Sequence, residues 1–331
     1  MNQSQTIHTA PPKLIQAFTA GFNTVASRAY LLLLPIGVDL LLWFGPRLRL
    51  QGLLGPLVDE SSRALQEFNS GDMASRLEVV RQIWGEVLTR FNLVSFIRTF
   101  PIGVPSLLAS QSPLENPLGL APVIEINSSL AALGFLLLIL SVGFLLGCLY
   151  FNLLARSTAD GKIAFDLRNF SHQVILTFML TVGLIMLLIV LSLPGLLLLS
   201  VFAVLSPNLA DIAMIAVVFI LLWLLVPLVF TPHGIYSGQR NLLVAVATSV
   251  RLVRFFLPGT GIFLMFAILI SQGLDILWRV PPAHSWLTLV GIFGHAFIYT
   301  SVLAASFIYF RGGMRWMVHN LARQVQRELN V

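Results

Sequence analysis

Six long apolar runs separated by polar gaps organise this chain. A helix needs about 20 apolar residues to cross ~30 Å of hydrocarbon. The runs predict membrane spans at about 29–46, 128–154, 173–199, 210–231, 259–278 and 286–310. The first is short and contains Pro35 and Asp39, whereas the second and third are long enough to tilt or to extend past the bilayer. Pro194-Gly195 is expected to kink or end the third, leaving 196–205 as a continuation or a shallow turn.

Three amphipathic stretches, 13–28, 162–172 and 240–257, precede the odd-numbered spans. Leu14, Phe18, Phe22, Val25 and Ala29 recur at spacings of three and four. So do Ile163, Leu167, Phe170 and Val174, and likewise Leu243, Val246, Val250, Val253 and Leu257. Each apolar face suits an interfacial helix on the inner leaflet, its basic residues among the head groups. The alternative is that each forms the polar first turn of the span it precedes. As separate helices they make a triple repeat of interfacial helix plus two-helix hairpin. The segment 312–331 places Met317, Leu321, Val325 and Leu329 on one face and Arg315, Arg323 and Arg327 elsewhere. It reads as a basic amphipathic C-terminal helix that adheres to the inner leaflet or binds a partner.

The segment 47–127 departs from this plan. Seven arginines and eight acidic residues make it too polar to insert. Leu65, Phe68, Leu77, Val80, Ile83, Trp84, Val87, Leu88 and Phe91 recur at helical spacing. They predict helices over about 57–69 and 73–98, broken at Ser70-Gly71 and burying Trp84 and Phe91. The proline-bearing stretch 99–122 cannot be regular helix. It is expected as an extended apolar loop over the outer ends of the spans, closing an extracytoplasmic helical cap.

Charge orients these elements. Lys13, Arg28, Arg156, Lys162, Arg168, Arg240, Arg251, Arg254, Arg311, Arg315, Arg323 and Arg327 fall in alternate gaps or at the ends. The two short gaps around Pro207 and Pro281 hold only Arg279. This positive-inside pattern puts both termini in the cytoplasm and 47–127 outside. Hydrophobic residues make up 57% of the 331 positions and charged residues 10%. Soluble domains carry about 25% charged residues, so the fold class is an all-α integral membrane protein. The net charge of +6 is spread over inner loop ends, which favours membrane lipids as partners and argues against nucleic acid. The polar residues 1–12 lack the pattern of a cleaved signal peptide. Cys148 is the single cysteine, which excludes an intrachain disulfide and a zinc-type cluster.

Catalytic motifs are absent: no Gly-rich phosphate loop, no His-Glu-x-x-His and no Gly-x-Ser-x-Gly. Asp160-Gly161 lacks the downstream aspartates that a metal-dependent phosphotransferase would need. His233, His284 and His295 have no paired carboxylates at ligand spacing. The reading is therefore a non-enzyme with no cofactor and no metal. What remains is intramembrane polarity. A central Asp costs ~2.5–3.5 kcal/mol on insertion scales, so Asp39 needs a partner in protein or water. Counting residues from Arg28 and Arg311 puts Asp39 and Thr300 at like depth, with Ser301 and Thr181 close by and His295 further out. Asp39 either hydrogen-bonds these hydroxyls and locks spans together, or forms a proton or cation site with His295. In the first case Asp39→Asn should be nearly silent. Gly143-Phe-Leu-Leu-Gly147 gives the second span a close-packing face.

Residues 226–256 carry a proline-bearing span end, a short polar turn, and then Ala245, Ser249, Arg251, Leu252 and Val253 in the rhythm Ala-x-x-x-Ser-x-Arg-Leu-Val. This resembles the six-span membrane domain attached to some bacterial glycerophosphodiester phosphodiesterases, and its free-standing relatives. The amphipathic N-terminal stretch running into Leu-Leu-Leu-Leu-Pro-Ile-Gly-Val-Asp-Leu-Leu-Leu is similar too. The likeness covers about a third of the chain, and the phosphodiesterase domain is not present, so no catalytic residue carries over. It implies a multi-pass protein of a bacterial-type cytoplasmic membrane. The expected role is organising lipid or partner proteins, the alternative a small-solute or ion transporter using Asp39.

Overall fold

A computed structural model of the chain describes residues 11–68, 72–161 and 164–329. Residues 1–10, the expected break at Ser70-Gly71, and Lys162 and Ile163 lie outside the described residues. Among the described residues the fold is all-α apart from four short strands. Among the described residues, five helices are long and apolar enough to cross a membrane, or six if 14–26 and 29–44 make one broken span. The chain divides into two compact units. One comprises Met1–Arg28, Phe151–Ile268 and Ser301–Val331, the other Ala29–Tyr150 and Leu269–Thr300.

In the first unit, α1 (Leu14–Ala26) is a discrete helix burying Ala17, Phe18, Gly21 and Val25, the face its spacing predicted. A Cβ at Gly21 would sit 2.6 Å from backbone atoms of Ala305 and Ser301, so glycine sets the approach of α1 to α11 (Thr288–Leu329). Aromatic rings fill the core: Phe18 stacks on Phe263, which stacks on Tyr309 at 4.2 Å between centroids. The span α7 (Pro207–Leu225) passes through a short 3-10 turn at Val226–Leu228 into α8 (Thr231–Tyr236). Ser249 on α9 (Leu242–Phe255) repairs that break: its hydroxyl donates to the Pro227 carbonyl at 2.7 Å and accepts the Phe230 N–H at 3.1 Å. Ala245, Ser249, Leu252 and Val253 are the buried face of α9, which explains the rhythm noted in the sequence.

Two expectations need correction in this unit, and one open alternative is decided. The stretch 162–172 is not a separate interfacial helix, because α6 (Leu167–Leu205) starts inside it, capped by Asp166, and runs on as one helix. Of the outcomes left open beyond Pro194, the structure has the continuation: 196–205 stays within α6, and Gly195 lies against Val217. The expected C-terminal helix is not separate but continues the last span as far as Leu329: α11 has 42 residues, about 63 Å at 1.5 Å per residue. Gly312 and Gly313 stay helical there, with Gly313 against Leu252.

In the second unit, α2 (Leu33–Phe44) follows a 3-10 turn at Ala29–Leu32. The polar insertion then forms a helical hairpin, α3 (Gln51–Phe68) and α4 (Asp72–Arg90), joined by an ion pair between Arg81 and Asp59. Its second helix stops at Arg90 rather than 98, because the Asn92 side chain accepts the Val94 and Leu48 N–H groups and starts a 3-10 turn at Leu93–Ile97. Two strands that the periodicity did not reveal close the stem, β1 (Arg47–Arg49) and β4 (Val123–Glu125), paired in parallel. A second pair, β2 (Glu115–Asn116) and β3 (Gly119–Leu120), forms a hairpin in the loop between. Arg47 is buried and caps α4 by donating to the Thr89 and Arg90 carbonyls. Burial and the adjacent Arg49 pull its pKa below the usual value. Phe91 packs with Val94 against Leu48, Leu93 and Ile126. Trp84, expected to be buried, is 48% exposed on an apolar face with Val80, Ile83 and Val87.

The proline-bearing loop lies at the span ends only in part: Ser110 meets Arg279 and Asn116 donates to the Trp43 carbonyl there, while the stretch around Ile102 runs down along α5. A Cβ on Gly143 of α5 (Ser129–Ser157) would collide with the Ile97 carbonyl, and one on Gly147 would come within 3.0 Å of the Ile102 carbonyl. Those glycines lie about 21 and 27 Å along α5 from its start. The predicted close-packing face of α5 thus receives a descending loop. Irregular backbone at such depth is tolerated only when enclosed by protein, and Ile102, Val104, Ser106, Leu107 and Leu108 are all buried.

Candidate functional site

Asp39 shares the buried face of α2 with Pro35, Val38, Leu42 and Trp43, the i, i+3, i+4, i+7 and i+8 positions expected of one helix side. It is 0% exposed. Its Oδ1 accepts the Ser106 hydroxyl at 2.5 Å and the Leu108 N–H at 3.0 Å, and its Oδ2 accepts the Leu107 N–H at 3.1 Å. The Ser106 Oγ in turn accepts the Ala109 N–H, and the Leu108 carbonyl accepts from Gln111 and Ser112. The carboxylate therefore caps the first N–H groups of a tight turn, donors that would otherwise be buried without acceptors. The polar partner that the sequence required exists, but the loop supplies it rather than another span.

The other predicted residues do not gather around Asp39. Thr300 accepts the Tyr150 hydroxyl at 2.8 Å. Thr181 donates to the Thr177 carbonyl one turn earlier on α6. The Ser301 hydroxyl is buried and has no hydrogen-bond partner among the described residues. His295 is paired instead with Asp275 of α10 (Leu257–Trp278), Nδ1 to Oδ1 at 2.8 Å. The Asp275 Oδ2 meets Arg279 at 2.6 Å, and Arg279 also donates to Ser110 of the loop. His295 Nε2 is buried and without a partner among the described residues. Asp275 was missed although the same signal marked it: a carboxylate within a predicted span, with a histidine in the next span to answer it. Among the described residues, no three His, Cys, Asp or Glu side chains group as metal ligands.

A polar cleft in the first unit was not foreseen. It encloses about 390 Å³ between the end of α5, the start of α6, the turn after α8 and α11. Asn152 and Gln173 face each other there, the Asn152 Nδ2 donating to Gln173 Oε1 at 2.8 Å. Arg156 and Arg311 supply positive charge. Arg311 is fixed by bonds to Thr158 Oγ1 at 2.9 Å and the Ala155 carbonyl at 2.5 Å. Asp160 pairs with Arg315, and Asp166 caps α6, so both carboxylates on the cleft are already engaged. The sequence signal was present in Asn152, an amide at the end of a predicted span, facing Gln173 at the start of the next.

No family model, no curated protein and no solved structure matches this chain. The class that the fold defines is a polytopic, mainly helical membrane protein.

Proposed function

We propose that this is a non-catalytic six-span protein of a bacterial-type cytoplasmic membrane, with both termini inside, that organises lipid or partner proteins. The observation that carries the reading is α9. It is a discrete helix whose Ala245, Ser249, Leu252 and Val253 are buried, while Arg251 and Arg254 are exposed beside exposed Leu243, Val244 and Phe255. An exposed mixture of arginines and large apolar side chains on one short helix suits the boundary between head groups and acyl chains. The discrete α1 supports the same reading at the first repeat. The resemblance to the six-span domain of phosphodiesterase-linked proteins is kept as part of the proposal, since Ala245 and Ser249 have a structural reason there.

The alternative, a small-solute or ion transporter, loses support at Asp39, whose two oxygens are taken by three protein donors. One observation still favours it, the buried Asp275–His295 pair with its unpartnered Nε2. The experiment is extraction of the protein in native lipid discs and comparison of its lipids with the bulk membrane. Enrichment of one head-group class is expected. Bulk composition, together with ion flux in vesicles that Asp275→Asn abolishes, would replace the proposal with the alternative. The topology is tested by cysteines at the exposed positions Ser61 and Arg240: an impermeant reagent should label only the first in intact cells.

A further inference from the structure

The break between α7 and α8 opens a slot on the outside of the first unit. α7 ends at Leu225, the turn at Val226–Leu228 follows, and the Ser249 bonds hold α9 beside that turn. A cavity of about 210 Å³ lies there, walled by Phe219, Leu222 and Trp223 of α7, Pro227 of the turn, Arg254 of α9 and Leu257 of α10. The Phe219 and Trp223 rings stack, with centroids 6.5 Å apart and planes at 19°. In the most apolar part of Asn208–Tyr236 no residue is buried by the rest of the protein. Arg254 is the one charged residue on the slot, and it is exposed. Among the described residues no ion pair or side-chain hydrogen bond engages it. Its own stretch of chain offers no acid either, because no Asp or Glu stands between Asp211 and Asp275. Its place in the last turn of α9 suits the carbonyl end of that helix. That accounts for a cation here but leaves its guanidinium donors open.

We infer that this slot holds one chain of an anionic phospholipid, the chain lying against Phe219 and Trp223 and the phosphate on Arg254. The apolar walls suit a hydrocarbon chain, and a guanidinium suits phosphate oxygens in charge-assisted bonds. A choline head carries its own cation, which competes with Arg254 for the phosphate, whereas a glycerol head does not. Charge also favours lipid over a second copy of the chain. A two-fold contact through the slot would bring two arginines without acidic partners into one apolar interface, where unpaired charge is costly. The inference deepens the proposed lipid role and rests on it, and on the orientation that sets α9 at the inner leaflet.

The test uses the full-length protein, stripped of lipid in detergent and titrated with phosphatidylglycerol or phosphatidylcholine, binding being read by native mass spectrometry. Phosphatidylglycerol should bind roughly tenfold more tightly, the equivalent of one charge-assisted hydrogen bond. With bromine on its chains it should quench the tryptophan fluorescence of the wild type more than that of Trp223→Phe. Arg254→Gln should bring phosphatidylglycerol down to the phosphatidylcholine level. Arg251→Gln, on the same helix but off the slot, should keep the preference. Leu222→Trp fills the slot from a position that is 56% exposed, so it should weaken both lipids without disturbing the fold. Equal binding of the two lipids to the wild type, or a preference that survives Arg254→Gln, would overturn the site. Equal loss in Arg251→Gln would also overturn it, in favour of a diffuse basic surface. A two-copy species that Leu222→Trp disperses would give the slot to a second chain instead. If native discs show anionic enrichment that survives Arg254→Gln, the slot is refuted while the general lipid role stands. Bulk composition in discs, with the preference intact in detergent, would sink the general role and leave the slot.

Discussion

Asp39 and Asp275 are carboxylates buried in the same unit, yet opposite kinds of donor satisfy them. Asp39 accepts from a hydroxyl and two backbone N–H groups, all uncharged and all from residues 106–108. Asp275 is answered by the side chains of Arg279 and His295, and Arg279 keeps contact with solvent. The first arrangement fixes a piece of backbone, since one carboxylate accepts both the Leu107 and the Leu108 N–H. The second joins side chains of neighbouring spans and ties them to the loop through Ser110. A buried charge is costly, but breaking its pairing costs more when the orphaned groups are backbone donors that cannot turn away. Asp39 should therefore be the stronger structural element, and Asp275 the more tolerant one.

The largest effect should come from Asp39→Leu, which strands the Leu107 and Leu108 N–H groups and the Ser106 hydroxyl. A loss of roughly 3–5 kcal/mol in reversible unfolding from mixed micelles is expected. Asp39→Asn should not be silent, contrary to what an interhelical hydroxyl bond would have implied. All three partners are donors, so an amide NH₂ must face one of them, and a loss of about 1–2 kcal/mol follows. A stability change below the error of the measurement in the Asn variant would mean that the loop is not held by this carboxylate.

Next in size is the seat of the loop on α5. Gly143→Ala places a methyl group against the Ile97 carbonyl, where backbone rather than a flexible side chain must move. Overpacking of this kind costs about 1–3 kcal/mol. The same substitution at Gly134, which has open space beside it, should be neutral or slightly stabilising through helix propensity. Equal behaviour of the two variants in thermal unfolding would remove the loop from the middle of α5.

Asp275→Asn should cost less, about 1–2 kcal/mol, because the amide oxygen can still accept from His295 and Arg279 can turn to water. A loss matching that of Asp39→Leu would erase the contrast between the two acids. The smallest effect is expected at Ser110→Ala, which removes one exposed bond to Arg279 and should change stability by less than about 0.5 kcal/mol. Added to Asp275→Asn it should give no further loss, since both changes act through Arg279, and a double-mutant cycle measures that coupling.

The long apolar runs were legible because crossing a bilayer demands length and hydrophobicity, properties that a single pass along the chain reveals. The helical hairpin of the insertion was legible too, from its period of 3.6. The demand of Asp39 for a polar partner followed from the cost of burying it. Which partner answers was not legible. Residue counting aligned Asp39 with Thr300, but distance along two helices does not exclude a loop from between them. The Gly143 and Gly147 face was visible as small residues four apart, while its occupant was not, because glycine admits a carbonyl as readily as a helix. Likewise Asn152 and Gln173 stand 21 positions apart on successive spans, and nothing local to either marks a shared cleft. The sequence by itself determined that this chain carries long membrane-spanning runs with a helical insertion between them, and that Asp39 needs a partner. Only the tertiary structure decided the partners, because hydrogen-bond donors are chosen by proximity in space, and backbone N–H groups, carried by every residue except proline, leave no mark in the sequence.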